Sequence, residues 1–291
     1  MRRGSSLTRK LLALTVVAVM AMAAVTYAQF GGGGRQRGFG GRRGGFGGYQ
    51  AAPRRPGANS FTGDFTFCRI AYNQAFDGRG GSWGVDYPRA DQNLSIRLSE
   101  LSKAPVNFDE EHNPNYFVVT MDDPELFNCP FVMVTEIGSI FISPEEAKSL
   151  KEYLLKGGFL WADDFWGEYA WEHWESELRK VLPAAEYPIV DVPLTHAMFH
   201  SIFDVKRIPQ IPSITFWGGP GGSTSEQGED SAVPHARAIL DNKGNVMVFI
   251  THNTDFGDSY EREADDPTYF YTFSVEGYAL GIDTVIYAMT H

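Results

Sequence analysis

The 291-residue sequence predicts an α/β domain: a mostly parallel sheet with helices on both faces, a loop-rich insertion and a C-terminal helix. Three observations predict it. Apolar runs over 65–72, 116–120, 131–135 and 159–162 are too short for helices and suit strands covered on both sides. Segments with apolar residues at helical spacing alternate with these runs. The loops between them are short, and that order of elements requires crossovers and a parallel sheet.

Taken in order, residues 65–72 are aromatic and β-branched enough for a first strand. A Gly-rich loop over 77–84 follows. Asp91 then stands as the cap of a helix with Leu94, Leu98 and Leu101 on one face. The second strand, 116–120, runs into Asp122-Asp123-Pro124, and the third, 131–135, ends at Glu136. Ser143-Pro144-Glu145-Glu146 opens a helix, with Ser143 as N-cap, Pro144 at the first helical position and Glu146 set for a capping box. Ala147, Leu150 and Leu154 share its inner face, and Gly157-Gly158 stops it.

The strand 159–162 comes next, and Asp163 and Asp164 sit at its carboxyl end, the edge where open α/β sheets bind ligands. A helix over 168–182 presents Trp171, Trp174, Leu178 and Val181 on one face and closes at Pro183. From 189 to 244 the pattern dissolves into Pro- and Gly-rich loops, including a polar insertion at 219–230. Runs at 236–240 and 246–251 read as a hairpin around Asn242-Lys243-Gly244. The last helix, 269–289, is expected to turn Val275, Tyr278, Ile282, Val285 and Met289 inward. Gly277 and Gly281 lie one turn apart and would let it approach the sheet closely.

The chain opens with Arg2, Arg3, Arg9 and Lys10, an apolar run over 11–25 and then Thr26-Tyr27-Ala28. That is the order of a secretory signal peptide over 1–28, with an uncleaved anchor as the alternative. The apolar run is short of the roughly 20 residues that span a bilayer, so no stable transmembrane helix is expected after cleavage. Residues 29–60 hold six arginines amid glycine and no acid, a composition that builds no core and reads as a tether. The domain proper is expected over 61–291, exported to the periplasm or the extracellular space. It carries 15 basic against 36 acidic residues, a formal charge of −21. Such a surface repels phosphate-rich partners, so nucleic acid is excluded; a cation, a glycan, another small molecule or an envelope protein remains. Export permits Cys68 and Cys129 to pair, while two buried free thiols fit equally well.

Five segments, at 67–70, 83–88, 157–167, 253–261 and 281–291, together resemble the bacterial family known as domain of unknown function 4159 (DUF4159). The resemblance implies a fold similar to the class I glutamine amidotransferases, flavodoxin-like in outline, with the ThuA-like proteins also similar. In the amidotransferases the turn after the corresponding strand bears a nucleophilic cysteine. Here that turn is Asp163-Asp164-Phe165-Trp166-Gly167, so glutaminase chemistry is not expected. A later strand of that fold ends in His-x-Glu; here His252-Asn253-Thr254-Asp255 is spaced one residue wider.

Candidate site residues follow from strand-end position and chemistry. Of Asp163 and Asp164, one is expected to face the cleft as base, cation ligand or hydroxyl acceptor, and the other to cap the following helix. Asn253, Asp255, Asp258 and Glu261 have the oxygen density that suits Ca²⁺ or Mg²⁺, although the spacing is not that of an EF-hand and turn and capping roles are the plainer alternative. Glu136, Asp86 and Arg89 share the same rim, with Arg89 set either to bind a carboxylated ligand or to form an internal ion pair. His196 and His200 are four apart without the neighbouring Glu of a zinc motif, so His196 alone, over the cleft, is the better candidate. Trp166, with Phe165, Trp171 and Trp174, can offer stacking surface to a sugar, the last two being better suited to the core. Two functions therefore compete. One is a non-enzymatic ligand-binding or envelope-interaction module. The other is a cation-assisted hydrolase or sugar-modifying enzyme that uses Asp164 and Asp255 with His196 or His252.

Overall fold

Seven strands make the central sheet in a computed structural model that describes residues 52–291, Pro220 excepted. They are β1 Phe67–Ile70, β2 Tyr116–Val119, β3 Phe131–Thr135, β4 Phe159–Asp163, β5 Val190–Asp191, β6 His235–Leu240 and β7 Val246–His252. Their order is β2-β1-β3-β4-β7-β6-β5. The first five are parallel and run in the 2-1-3-4-5 sequence of flavodoxin-like sheets, while β6 and β5 extend the edge antiparallel. The expected mostly parallel α/β sheet is present. The signal segment and most of the tether fall outside the described residues. Residues 52–60 are described, and part of that stretch lies along the β2 edge: Val118 N donates to Arg54 O at 2.9 Å, and Arg54 Nη2 reaches Asn115 at 2.7 Å.

Alternation along the strands builds two cores. One side of the sheet presents Phe67, Phe131, Met133, Phe159, Trp161 and Phe249 to helices α1 (Arg89–Leu101), α4 (Phe256–Glu261) and α5 (Val275–Thr290). The other presents Ile70, Val132, Val134, Leu160, Val248 and Ile250 to α2 (Pro144–Leu155) and α3 (Gly167–Val181). Burying each such side chain contributes about 1.5–3 kcal/mol, so both helical layers are held by sheet contact rather than by helix propensity. The capping box at Ser143 and Glu146 forms as expected. In α3, Trp174, Leu178 and Val181 are buried, and Trp171 is only partly covered.

Three expectations are corrected. Asp91 does not cap α1, whose N-cap is Pro88; it lies in the first turn, buried against Arg69, because a full charge at that depth needs a counter-charge more than the helix needs a cap. The last helix begins at Pro267–Tyr269, widens into a π-helical turn at Phe270–Ser274 and continues as α5. The wider turn rotates its face, leaving Val275 and Met289 exposed while Tyr278, Ile282 and Val285 stay inside. Its glycines accommodate α4 rather than the sheet: a Cβ on Gly277 would meet Ser259 Oγ at 2.1 Å, and one on Gly281 would meet Tyr260 Oη at 2.1 Å.

Cys68 on β1 and Cys129 in the turn before β3 form a disulfide, closing a loop of 61 residues with both sulfurs buried. On loop-closure entropy that bond is worth about 4 kcal/mol. A Cys68→Ala/Cys129→Ala double variant should melt roughly 10 °C below the oxidised protein in a calorimeter, since a domain of this size shifts about 2–4 °C per kcal/mol. Equal melting temperatures would show that the bridge adds no stability.

Candidate functional site

The carboxyl ends of β1, β3, β4 and β7 open on one lip of the sheet, and the switch point of a 2-1-3-4-5 sheet falls there between β1 and β3. Four non-glycine residues at this lip have left-handed backbone: Asp86 (φ 63°), Glu136 (φ 55°), Asp164 (φ 56°) and Asn253 (φ 62°). Such conformations cost about 1–3 kcal/mol each and persist only where the surroundings impose them. Each bends the chain sharply at a strand end or loop and brings its side chain over the lip.

Asp163 faces the α1 side of the sheet with Trp161. Its Oδ1 accepts from Thr251 Oγ, and its Oδ2 accepts from the backbone N–H of Phe256 at 2.8 Å and Gly257 at 3.3 Å. It therefore caps α4, not the helix that follows it. Asp164 does not cap that helix either: its Oδ1 accepts from the Trp166 indole at 3.2 Å. The first turn of α3 is served instead by Asn253 Oδ1, which accepts from Gly167 N at 2.9 Å, and by Asp230, which accepts from Glu168 N at 3.2 Å. The reason is geometric: the left-handed residue at Asp164 turns its carboxylate away from the helix axis. Asn253 is thus bound up in structure, its Nδ2 donating to Val233 O at 2.9 Å.

The acids that do converge are Asp86, Asp255 and Asp258. One carboxylate oxygen of each lies within 4.8 Å of the others, and all three residues are buried. Asp255 caps α4 through Asp258 N at 2.8 Å. Asp258 Oδ2 accepts from Ile214 N at 3.0 Å. Asp86 Oδ2 is buried and has no hydrogen-bond partner. Gly257 makes room for it, since a Cβ there would lie 2.3 Å from that oxygen.

Burial pushes Asp86, Asp164 and Asp255 well above the ordinary carboxylate range. Neighbouring acids add to this: Asp258 and Glu261 on Asp86, Glu136 and Asp86 on Asp164, and Asp164 and Asp86 on Asp255. Two like charges at the 4.8 Å limit repel by roughly 3–4 kcal/mol at the effective dielectric of a protein interior. Arg262 answers part of this by pairing with Asp258 Oδ1 at 3.3 Å, and the remainder of the group needs protons or a cation. Three carboxylates and no nitrogen or sulfur donor fit Ca²⁺ or Mg²⁺ rather than zinc.

Other predicted residues take different places. Glu261, expected among the ligands, pairs with Arg262 at 2.8 Å, and Asp86 stands in the group instead. Glu136 is partly buried in a cradle formed by Gly80 and Gly81, and burial holds its carboxyl at about 7. Arg89 pairs with Asp265 at 3.5 Å at the surface. His252 lies on the opposite side of the sheet from the acids. It stacks on Phe165 (4.7 Å between centroids), makes a 3.1 Å hydrogen bond with Gly167 O and is held by burial at about 4. His196 packs on Tyr287, whose hydroxyl meets Val246 at the amino end of β7, so it lies at the other end of the sheet from the lip. His200 bonds to Leu194 O and Asp204, and the two histidines share no site. His252 is misplaced because strand alternation turns it to the far side of β7, and His196 because the segment 189–234 leaves no periodic signal in the sequence.

Sequence reasoning missed Arg69, Thr251, Gly257 and Glu226. Glu226, in the insertion, accepts from Ser213 N at 2.7 Å and adds its negative charge to the field at Asp164, Asp258 and Glu136. The Asp-Phe-Gly-Asp stretch at 255–258 was the available clue to Gly257.

A doubly wound α/β domain with buried carboxylates at the carboxyl ends of its parallel strands is the class of protein that this architecture defines. A family model described as domain of unknown function (DUF4159) matches residues 66–289, and the chain belongs to that family. No curated protein matches the chain.

Two outcomes test this geometry. Gly257→Ala should drive Asp86 out of the group while α4 persists, abolishing any Ca²⁺-induced rise in melting temperature; a retained rise would show that the close approach is dispensable. In chelator, the melting temperature should fall as pH rises from about 6.5 to 8, above the range in which His252, held at about 4 by burial, contributes the opposite slope. Asp163 and Glu136, both near 7 in the folded state, hold protons that the unfolded chain releases near 4, so their contribution is present at low pH and lost through pH 7. A flat or rising profile across that range would contradict the buried carboxyls.

Proposed function

We propose that the lip is a divalent-cation centre, filled by Ca²⁺ or Mg²⁺, through which an exported domain binds a neutral, hydroxyl-rich ligand such as an envelope glycan. The single observation that carries this reading is Asp86 Oδ2, a carboxylate oxygen buried without a partner among two further carboxylates. Leaving such an atom unpaired costs about 1–3 kcal/mol and more when the group is charged, and a cation removes the cost. Asp86, Asp255 and Asp258 would hold the ion, with Asp164 beside them.

The ligand class follows from charge. A bound divalent ion would draw the protons off the neighbouring carboxyls, so Asp164, Glu136 and Glu226 would keep the surroundings negative, repelling phosphates and carboxylates while hydroxyl oxygens remain acceptable to a hard cation. Trp166, partly buried and tethered to Asp164, offers an aromatic face beside the ion. The amidotransferase-type scaffold remains our proposal for the fold's parentage, supported by the tight strand–turn–helix at 163–167.

That same turn favours a second reading. Asp164 stands with φ 56° at the tip of a strand-to-helix elbow, the position from which related architectures present a reacting group. A hydrolase would use Asp164 to take a proton from a cation-held water, without help from His196 or His252.

The test is thermal shift with Ca²⁺ and Mg²⁺. At about a hundred times the dissociation constant an ion stabilises by about 2.7 kcal/mol, a rise of roughly 5–10 °C here. Asp86→Asn, Asp255→Asn and Asp258→Asn should each remove the rise, and Glu261→Gln should keep it. No rise in the wild type would end the cation reading. Uncharged oligosaccharides should bind in a cation-dependent manner and lose affinity in Trp166→Ala, whereas cation-independent binding would separate ligand from metal.

A further inference from the structure

We propose that Arg69, sealed inside the domain and touching no ligand, is the positioning residue that sets the cation centre. The inference rests on the cation reading above. Arg69 lies on β1 with no solvent exposure. Its Nε donates to the two Asp91 oxygens at 3.0 and 3.2 Å, and its Nη2 donates to Oδ1 at 2.5 Å. This anchors the guanidinium to α1. Its Nη1 points the other way and donates to three acceptors: Trp83 O at 3.3 Å, Val85 O at 3.2 Å and Thr135 Oγ at 2.9 Å.

Those acceptors are the residues that lead into the site. Trp83 and Val85 belong to the loop that delivers Asp86, and Thr135 is the last residue of β3 before Glu136. Asp86 Oδ2, which lies against Gly257 of α4, has no bond of its own to steady it. Its place is therefore set by the backbone before it, held in a left-handed turn at φ 63°. One planar group with donors on opposite edges ties α1, the Asp86 loop and the end of β3 into a fixed triangle. A lysine cannot do this, because an ammonium reaches either Asp91 or the opposite acceptors but lacks the rigid fork to span both. Removing such a support from a metal site typically costs 10- to 100-fold in affinity.

Terbium serves as the probe, since it substitutes for calcium at oxygen sites and nearby tryptophan and tyrosine sensitise its emission. Its luminescence lifetimes in H₂O and D₂O count the coordinated waters, a signature that a general loss of stability does not move. Arg69→Lys should weaken Tb³⁺ and Ca²⁺ binding by roughly 10-fold or more and admit about one extra water where Asp86 withdraws. Thr135→Val, which removes one anchor from the guanidinium, should weaken binding several-fold at an unchanged melting temperature, and it decides the matter if the lysine variant fails to fold. The two changes combined should be no worse than Arg69→Lys alone, because they break one linkage. Wild-type affinity and hydration in both variants would overturn the role given to Arg69 while leaving the cation centre standing. A wild type that binds no Tb³⁺ would overturn the centre itself, and this role with it.

Discussion

Arg69 and Asp91 meet inside the domain with neither side chain exposed, and much of the lip is arranged around that contact. Among the described residues Arg69 alone of the lysines and arginines is buried. Burial by itself would lower its pKa, but Asp91, with smaller contributions from Asp86 and Tyr87, raises it overall and keeps the guanidinium charged. A buried ion pair is weak evidence for net stability, because desolvation consumes most of the Coulomb gain. What it supplies here is direction. The remaining donors must find acceptors, and those available are the loop carbonyls and the threonine that lead into Asp86 and Glu136.

The lip concentrates negative charge that a folded protein ordinarily avoids. Asp86, Asp164, Asp255 and Asp258 are all buried, and Glu136, Glu226 and Glu261 stand around them. Hydrogen bonds satisfy much of this array: α4 is capped by Asp163 and Asp255, and Ile214 donates to Asp258. Asp86 Oδ2 and Glu261 Oε2 are left without hydrogen bonds, and of the two only Glu261 has an ion pair, with Arg262. Backbone strain gathers at the same place, with four left-handed non-glycine residues around one lip. Strain and unsatisfied polarity at one site are characteristic of regions shaped for a ligand rather than for stability.

The sequence made the scaffold legible because burial on both sides of a parallel strand leaves an apolar run, and burial on one side of a helix leaves a stripe. Both survive in residues such as Phe159, Trp161, Trp174 and Leu178. The strand-end position of Asp163, Asp164, Glu136 and Asp255 was legible for the same reason, since a strand's end is where its apolar run stops. The histidines were misjudged because His252 alternates to the far side of β7 and His196 lies in a segment without period. Asp86 was read as a rim residue, and Glu261 was preferred to it as a ligand because it lies close in sequence to Asp255 and Asp258.

Composition and periodicity alone determined the α/β class, the succession of strands and helices, the acidic surface and the edge of the sheet at which to look. Only the tertiary structure decided that the cysteines pair, that Asp91 answers Arg69 instead of capping α1, and that Asp86 joins two acids about 170 residues away. The physical reason is that periodicity is a local record of burial. Which charge meets which is fixed by long-range register and by backbone turns such as that at Asp86, and these leave no repeating mark along the chain.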